Sequence, residues 1–65
     1  MNTITQIIAA TSTGVNLIWN ESQNDWVSFE QEVPNTDESE LQYAIAKAAQ
    51  YSAITKVWIE TVQFS

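Results

Sequence analysis

Carboxylates are the only densely placed reactive groups in this sequence. Eight Asp and Glu stand against two Lys, with no Arg, His or Cys, and the formal net charge is −6. Seven of the eight carboxylates, Glu21, Asp25, Glu30, Glu32, Asp37, Glu38 and Glu40, fall between positions 21 and 40, where no cation interrupts them. Glu60 stands apart near the C-terminus. Such groups support three kinds of chemistry. Paired carboxylates act as general acid and base in glycoside hydrolysis. Clustered carboxylates hold hard cations through oxygen. An unscreened acidic face steers a basic macromolecule toward it.

The first two fit poorly. No Ser or Thr has a base at a recognisable spacing, no glycine-rich phosphate loop is possible with a single glycine, and 65 residues leave little room for a pocket beside a core. The expectation is therefore no enzyme. Asp37, Glu38 and Glu40 lack the EF-hand pattern, and acids in the first turn of a helix complement its dipole without a metal. No metal and no cofactor is expected. The net charge disfavours direct binding to nucleic acid or to an anionic membrane.

The third chemistry needs a scaffold, and the alternation of apolar residues supplies one. Residues 3–10 are dense in β-branched side chains and predict a strand, with a short helix as the alternative. Thr11-Ser12-Thr13-Gly14 predicts a turn, with Gly14 at positive φ. Residues 15–21 alternate, with Val15, Leu17 and Trp19 on one face. A polar turn over 22–25 leads to a second alternating run, 26–33, so a hairpin is expected. There Val27, Phe29 and Val33 share one face, and Trp26, Ser28, Glu30 and Glu32 the other. Pro34 ends the strand. Asn35 or Thr36 then caps a helix, Asn35 and Glu38 having capping-box spacing. Leu41, Ala44, Ile45, Ala48 and Ser52 form its apolar stripe, and it ends near Ser52 or Ala53. Residues 54–64 form the last strand, with Val57, Ile59 and Thr61 on one face and Trp58, Glu60, Val62 and Phe64 on the other. The fold class is α+β: one domain over 1–65, βββαβ, a small antiparallel sheet of about four strands with one helix packed on one face.

On this scaffold Glu30 and Glu32 leave one strand face roughly 7 Å apart. Glu60 extends that row if the last strand presents the same face, and Asp37, Glu38 and Glu40 stand at the nearby helix start. Trp26 and Trp58 are expected on the carboxylate face as aromatic anchors, as at a hot spot. Trp19 is assigned to the core with Val15 and Leu17. The candidate partner-binding residues are Asp25, Trp26, Glu30, Glu32, Asp37, Glu38, Glu40, Trp58 and Glu60.

In size, charge and layout the chain resembles the small acidic inhibitors that phages and mobile elements carry, in particular anti-CRISPR proteins of type I systems. Asp25, Glu30, Glu32, Asp37, Glu38 and Glu40 carry the likeness, and no shared motif does. The resemblance implies an inhibitor in the cytoplasm of a bacterial host. It would bind a basic, nucleic-acid-binding surface of a CRISPR effector protein and block nucleic acid there, partly by DNA-like acidity. The first twenty residues carry no charged side chain, so a local acidic face fits better than mimicry by the whole molecule. The alternative is a structural or assembly module acting as a homodimer, with Trp58, Val62 and Phe64 facing the second copy and acidity serving solubility alone. The longest unbroken apolar run, Ile7 to Ala10, is too short to span a bilayer. The N-terminus has no basic segment of a secretion signal.

Overall fold

Threonine and isoleucine dominate the first strand, and their branched Cβ atoms favour extended backbone. The computed structural model describes residues 2–30 and 35–64. Glu32, Val33 and Pro34, and with them the predicted Val33 face and the Pro34 strand break, lie outside the described residues. Strand β1 (Asn2–Thr11) is followed by β2 (Asn16–Asn20), β3 (Asp25–Ser28), a 3-10 turn (Glu38–Glu40), helix α1 (Leu41–Ala48) and β4 (Ile54–Phe64). The four strands form one sheet in the order β3-β2-β1-β4, with every pairing antiparallel. The chain is thus α+β, βββαβ, with the helix on one face.

Two turns set the hairpin registers. Gly14 takes φ +86°, and its N–H donates to the Thr11 carbonyl at 3.0 Å. Only glycine enters that region without a steric cost. The second turn spans 21–24 and is organised by Asn20, whose Oδ1 accepts from the Ser22 N–H, the Ser22 hydroxyl and the Gln23 N–H. Asn24 takes φ 54°, a conformation asparagine tolerates better than most residues. The resulting register places Trp19 opposite Trp26 and Ile18 opposite Val27.

The face under the helix holds the main core. Ile7, Ala9, Trp19, Trp26, Ala44 and Ala48 are buried together, with Leu17, Leu41, Ile54, Val57 and Ile59 packed around them. Ala44 and Ala48 are the helix residues in this core, and their small side chains let the helix sit close to two indoles. Trp19 and Trp26 meet edge to face, with ring centroids 5.4 Å apart and planes at 68°. That arrangement sets the positive edge of one ring against the negative face of the other.

The opposite face carries a second apolar row. Register places Val27, Ile18, Ile8 and Trp58 side by side across the four strands. Ile8 and Ile18 are buried, flanked by the half-buried Val27 and Trp58.

Three boundaries differ from the sequence expectation. Strand β3 ends at Ser28 rather than 33. Phe29 and Glu30 turn away, and the Ser28 hydroxyl takes the Glu30 N–H at 3.4 Å in place of a ladder bond. Asp37, not Asn35 or Thr36, caps the helical segment, accepting from the Ser39 N–H at 2.9 Å. Asn35 and Thr36 instead line β1: the Asn35 Oδ1 accepts from the Thr5 N–H, and the Thr36 N–H donates to the Thr5 carbonyl. The helix closes at Ala48, short of Ser52, through i to i+3 bonds from Gln50 and Tyr51. Val15, expected in the core, is 55% exposed beside Gly14, where β2 has not begun. Among the described residues, no helix is long and apolar enough to cross a membrane.

Candidate functional site

Three of the acidic candidates are bound into the fold. Asp25 opens β3, and its Oδ1 accepts from the Trp26 N–H at 2.8 Å and from the Tyr51 hydroxyl at 2.5 Å. The Tyr51 bond, aided by the Trp26 N–H and by Lys47, holds the Asp25 carboxyl below the usual carboxylate range. Asp37 is lowered likewise by its cap bond to the Ser39 N–H and by the Ser39 hydroxyl. Glu40 Oε1 accepts from the Trp19 indole N–H at 3.1 Å, which pins the start of the helix to the core.

The exposed acids are arranged differently from the expected row. Glu30 and Glu38 are exposed, as is Glu21 in the β2–β3 turn. Glu30 follows the Ser28 end of β3, whereas Glu21 and Asp25 flank the turn at its other end. Glu32, the second member of the expected pair, lies outside the described residues. Glu60 does not extend a row from β3. It is exposed on β4, opposite Gln6, and three strand spacings separate β4 from β3, or roughly 14 Å.

The tryptophans separate as well. Trp26 is buried beneath the helix, and its indole N–H donates to the Ala44 carbonyl at 3.2 Å. It is a core residue and has no face to offer a partner. Trp58 points to the helix-free face, half-buried against Ile8. The two are therefore on opposite faces, a correction to the shared-face expectation. Its cause is parity: a four-residue turn puts even positions of β3 on the side of Trp19. Lys56 Nζ sits 5.7 Å from the Trp58 ring centroid, within range of a cation–π contact.

The surface so assembled is electrostatically lopsided. β1 and β2 carry no charged side chain. Lys56 is engaged on β4, and Lys47 lies near Asp25. Glu21 and Glu30, at opposite ends of β3, and Glu38, at the helix start, are exposed carboxylates without an ionic partner among the described residues. Glu21 was absent from the sequence-derived set. It lies in the same unbroken acidic span, and its place in a turn was the signal for exposure. Among the described residues, no three carboxylates converge as a cation site requires. A shallow open groove lined by Asn24, Tyr43, Ala46, Lys47 and Gln50 contains no carboxylate.

The Asp25–Tyr51 bond makes a pH-dependent prediction. The folded pKa of Asp25 lies below its ordinary 3.8. The bond therefore stabilises the fold above that pH, and its contribution is lost as pH falls through the lowered value. The same bond raises Tyr51 above 10.0, so the contribution is also lost as pH rises through that raised value. Wild type is expected to exceed Tyr51→Phe in urea midpoint near neutrality, with the two converging in strong acid and strong alkali. A gap of constant size down to strong acid would show that Asp25 is not the group Tyr51 serves.

No known protein family matches this sequence, and no curated protein or solved structure matches it significantly.

Proposed function

We propose that the protein is a binding module whose acidic side docks on a basic, nucleic-acid-binding protein and keeps nucleic acid from it. The observation that supports this reading is the segregation of charge. Seven of eight carboxylates belong to the 21–40 segment, and the two lysines lie outside it. A surface adapted only to remain dispersed in water mixes the signs. The exposed Glu21, Glu30 and Glu38 supply charge in this reading, while Asp25, Asp37 and Glu40 keep the scaffold that presents them. The likeness to small acidic inhibitors points to a subunit of a CRISPR effector complex as the partner. Occlusion would be electrostatic and steric, with the carboxylates taking the places of phosphates.

The test is titration of a purified type I CRISPR effector complex with the protein at low and at moderate salt, with target DNA as competitor. Binding is expected to weaken with salt and to exclude DNA. The Glu30→Lys/Glu38→Lys double variant is expected to bind at least tenfold more weakly while its circular dichroism is unchanged, since neither side chain holds the fold. Equal binding by the folded double variant would refute the acidic side as the contact.

A further inference from the structure

β4 is an edge strand of eleven residues, and among the described residues its outer side has no neighbouring strand in the sheet. Edges of this length are templates for pairing unless they are blunted. Here the devices that blunt an edge are concentrated at one end. A register shift at Ala10/Thr11 leaves Thr55 as an extra residue, and beyond it the pairing from Lys56 to Phe64 is regular. The strand contains no proline and no glycine. The other edge, β3, has only four residues.

The charges on β4 are placed symmetrically. Lys56 and Glu60 are its two charged residues, both exposed, on the helix-free face, and equidistant from Trp58. Across β1, Lys56 faces Ala10 and Glu60 faces Gln6, so neither has an ionic partner on its inner side. An opposite charge can reach them from the outer side.

We propose that two copies of this chain pair β4 to β4 in antiparallel register about Trp58, forming one eight-stranded sheet. In that register Lys56 lies opposite Glu60 of the second copy, and Glu60 opposite its Lys56. Trp58 meets Trp58 on the two-fold axis. On the helix side, the half-buried Val57 and Ile59 face each other across the same junction. A shift by two residues in either direction breaks both ion pairs, so charge selects this register. The apolar row Val27–Ile18–Ile8–Trp58 then continues unbroken into its copy. Cross-strand pairs of opposite charge and of aromatic residues are both stabilising.

The acidity of the chain does not oppose this arrangement. β4 is electrically neutral. Glu21, Asp25 and Glu30, which flank or open β3, end up at the two far margins, with seven strand spacings between the β3 strands, or roughly 34 Å. That is several times the Debye length of about 8 Å at physiological salt. The inference stands apart from the acidic-side reading and does not rest on it.

Sedimentation equilibrium up to roughly 100 µM chain is expected to show a dimer, a range that detects any contact with a dissociation constant near or below that concentration. Lys56→Glu sets carboxylates against carboxylates at both ends of the junction, and Glu60→Lys does the same with ammonium groups. Each single variant is expected to dimerise at least tenfold more weakly, with unchanged circular dichroism. The charge-swapped double variant, Lys56→Glu with Glu60→Lys, is expected to recover the dimer. Mixing the two single variants is expected to give a heterodimer as tight as the wild-type dimer, because every facing pair is again opposite in sign. A monomeric wild type, single variants that dimerise as well as wild type, or a mixture that stays monomeric would each overturn the proposal.

Discussion

Replacing Trp19 with alanine is expected to leave the chain largely unfolded. Trp19 is the largest fully buried side chain, and it touches every part of the core that matters: the Trp26 ring, the alanine face of the helix, and Glu40 through its indole N–H. Truncating a buried Trp to Ala costs about 3–5 kcal/mol, the sum of lost transfer energy and the cavity left behind. A domain of 65 residues has a total stability of roughly 3–10 kcal/mol. The substitution therefore removes much or all of it. The bulk of the loss is packing, since Trp19→Phe keeps an aromatic edge against Trp26 and forfeits mainly the bond to Glu40. Near-ultraviolet circular dichroism and urea unfolding distinguish the two. Trp19→Ala is expected to lose its aromatic signal and its cooperative transition, and Trp19→Phe to keep both with a lower midpoint. Trp58→Ala is the matched comparison on the other face. Trp58 is half-buried and makes no indole hydrogen bond among the described residues, so a cost near 1 kcal/mol and a folded protein are expected. Equal damage at Trp19 and Trp58 would mean that the helix side is not the principal core.

Local pattern carried the strands and the helix but not what they touch. Residues 3–10 and 54–64 are observed as Asn2–Thr11 and Ile54–Phe64, because their branched side chains and alternation dictate extended backbone without help from distant residues. The face assignment of Trp26 was also available in principle. A four-residue turn after a strand whose Trp19 is core forces the same face on Trp26, since side chains alternate with a period of two. What the sequence could not show were contacts between residues far apart in the chain. Asn35 has the local grammar of a helix cap, yet its side chain is taken by the Thr5 N–H thirty positions away. Glu40 has the pattern of a surface acid and serves as acceptor for an indole twenty-one positions back. Asp25 is likewise tied to Tyr51. The acidic cluster thus divided by structural role: Asp25, Asp37 and Glu40 hold the scaffold, and exposure alone marks Glu30 and Glu38.

The alanine face of the helix is expected to be the second point of greatest sensitivity, because an eight-residue helix has little stability of its own. It persists by lying flat on the Trp pair. Ala44 is fully buried at that contact, and its carbonyl accepts the Trp26 indole N–H. Leucine there would add three carbons where no space exists. Overpacking of this kind typically costs 1–3 kcal/mol. Lifting the helix to relieve it would also strip the Trp26 N–H of its acceptor, adding roughly 1–3 kcal/mol for a buried donor left unpaired. Ala44→Leu is therefore expected to lower stability by about 2–6 kcal/mol. Ala46 lies on the exposed side of the same helix, so Ala46→Leu meets no such obstacle. Leucine and alanine are both good helix formers, and the change is expected to stay within about 0.5 kcal/mol. Urea unfolding of the two variants, monitored by tryptophan fluorescence, separates packing from propensity. A large loss at Ala44 with none at Ala46 means that contact with Trp19 and Trp26 holds the helix in place. Similar small losses at both would mean that the helix can slide to accept the larger side chain, and that the close approach to the sheet contributes little to its position.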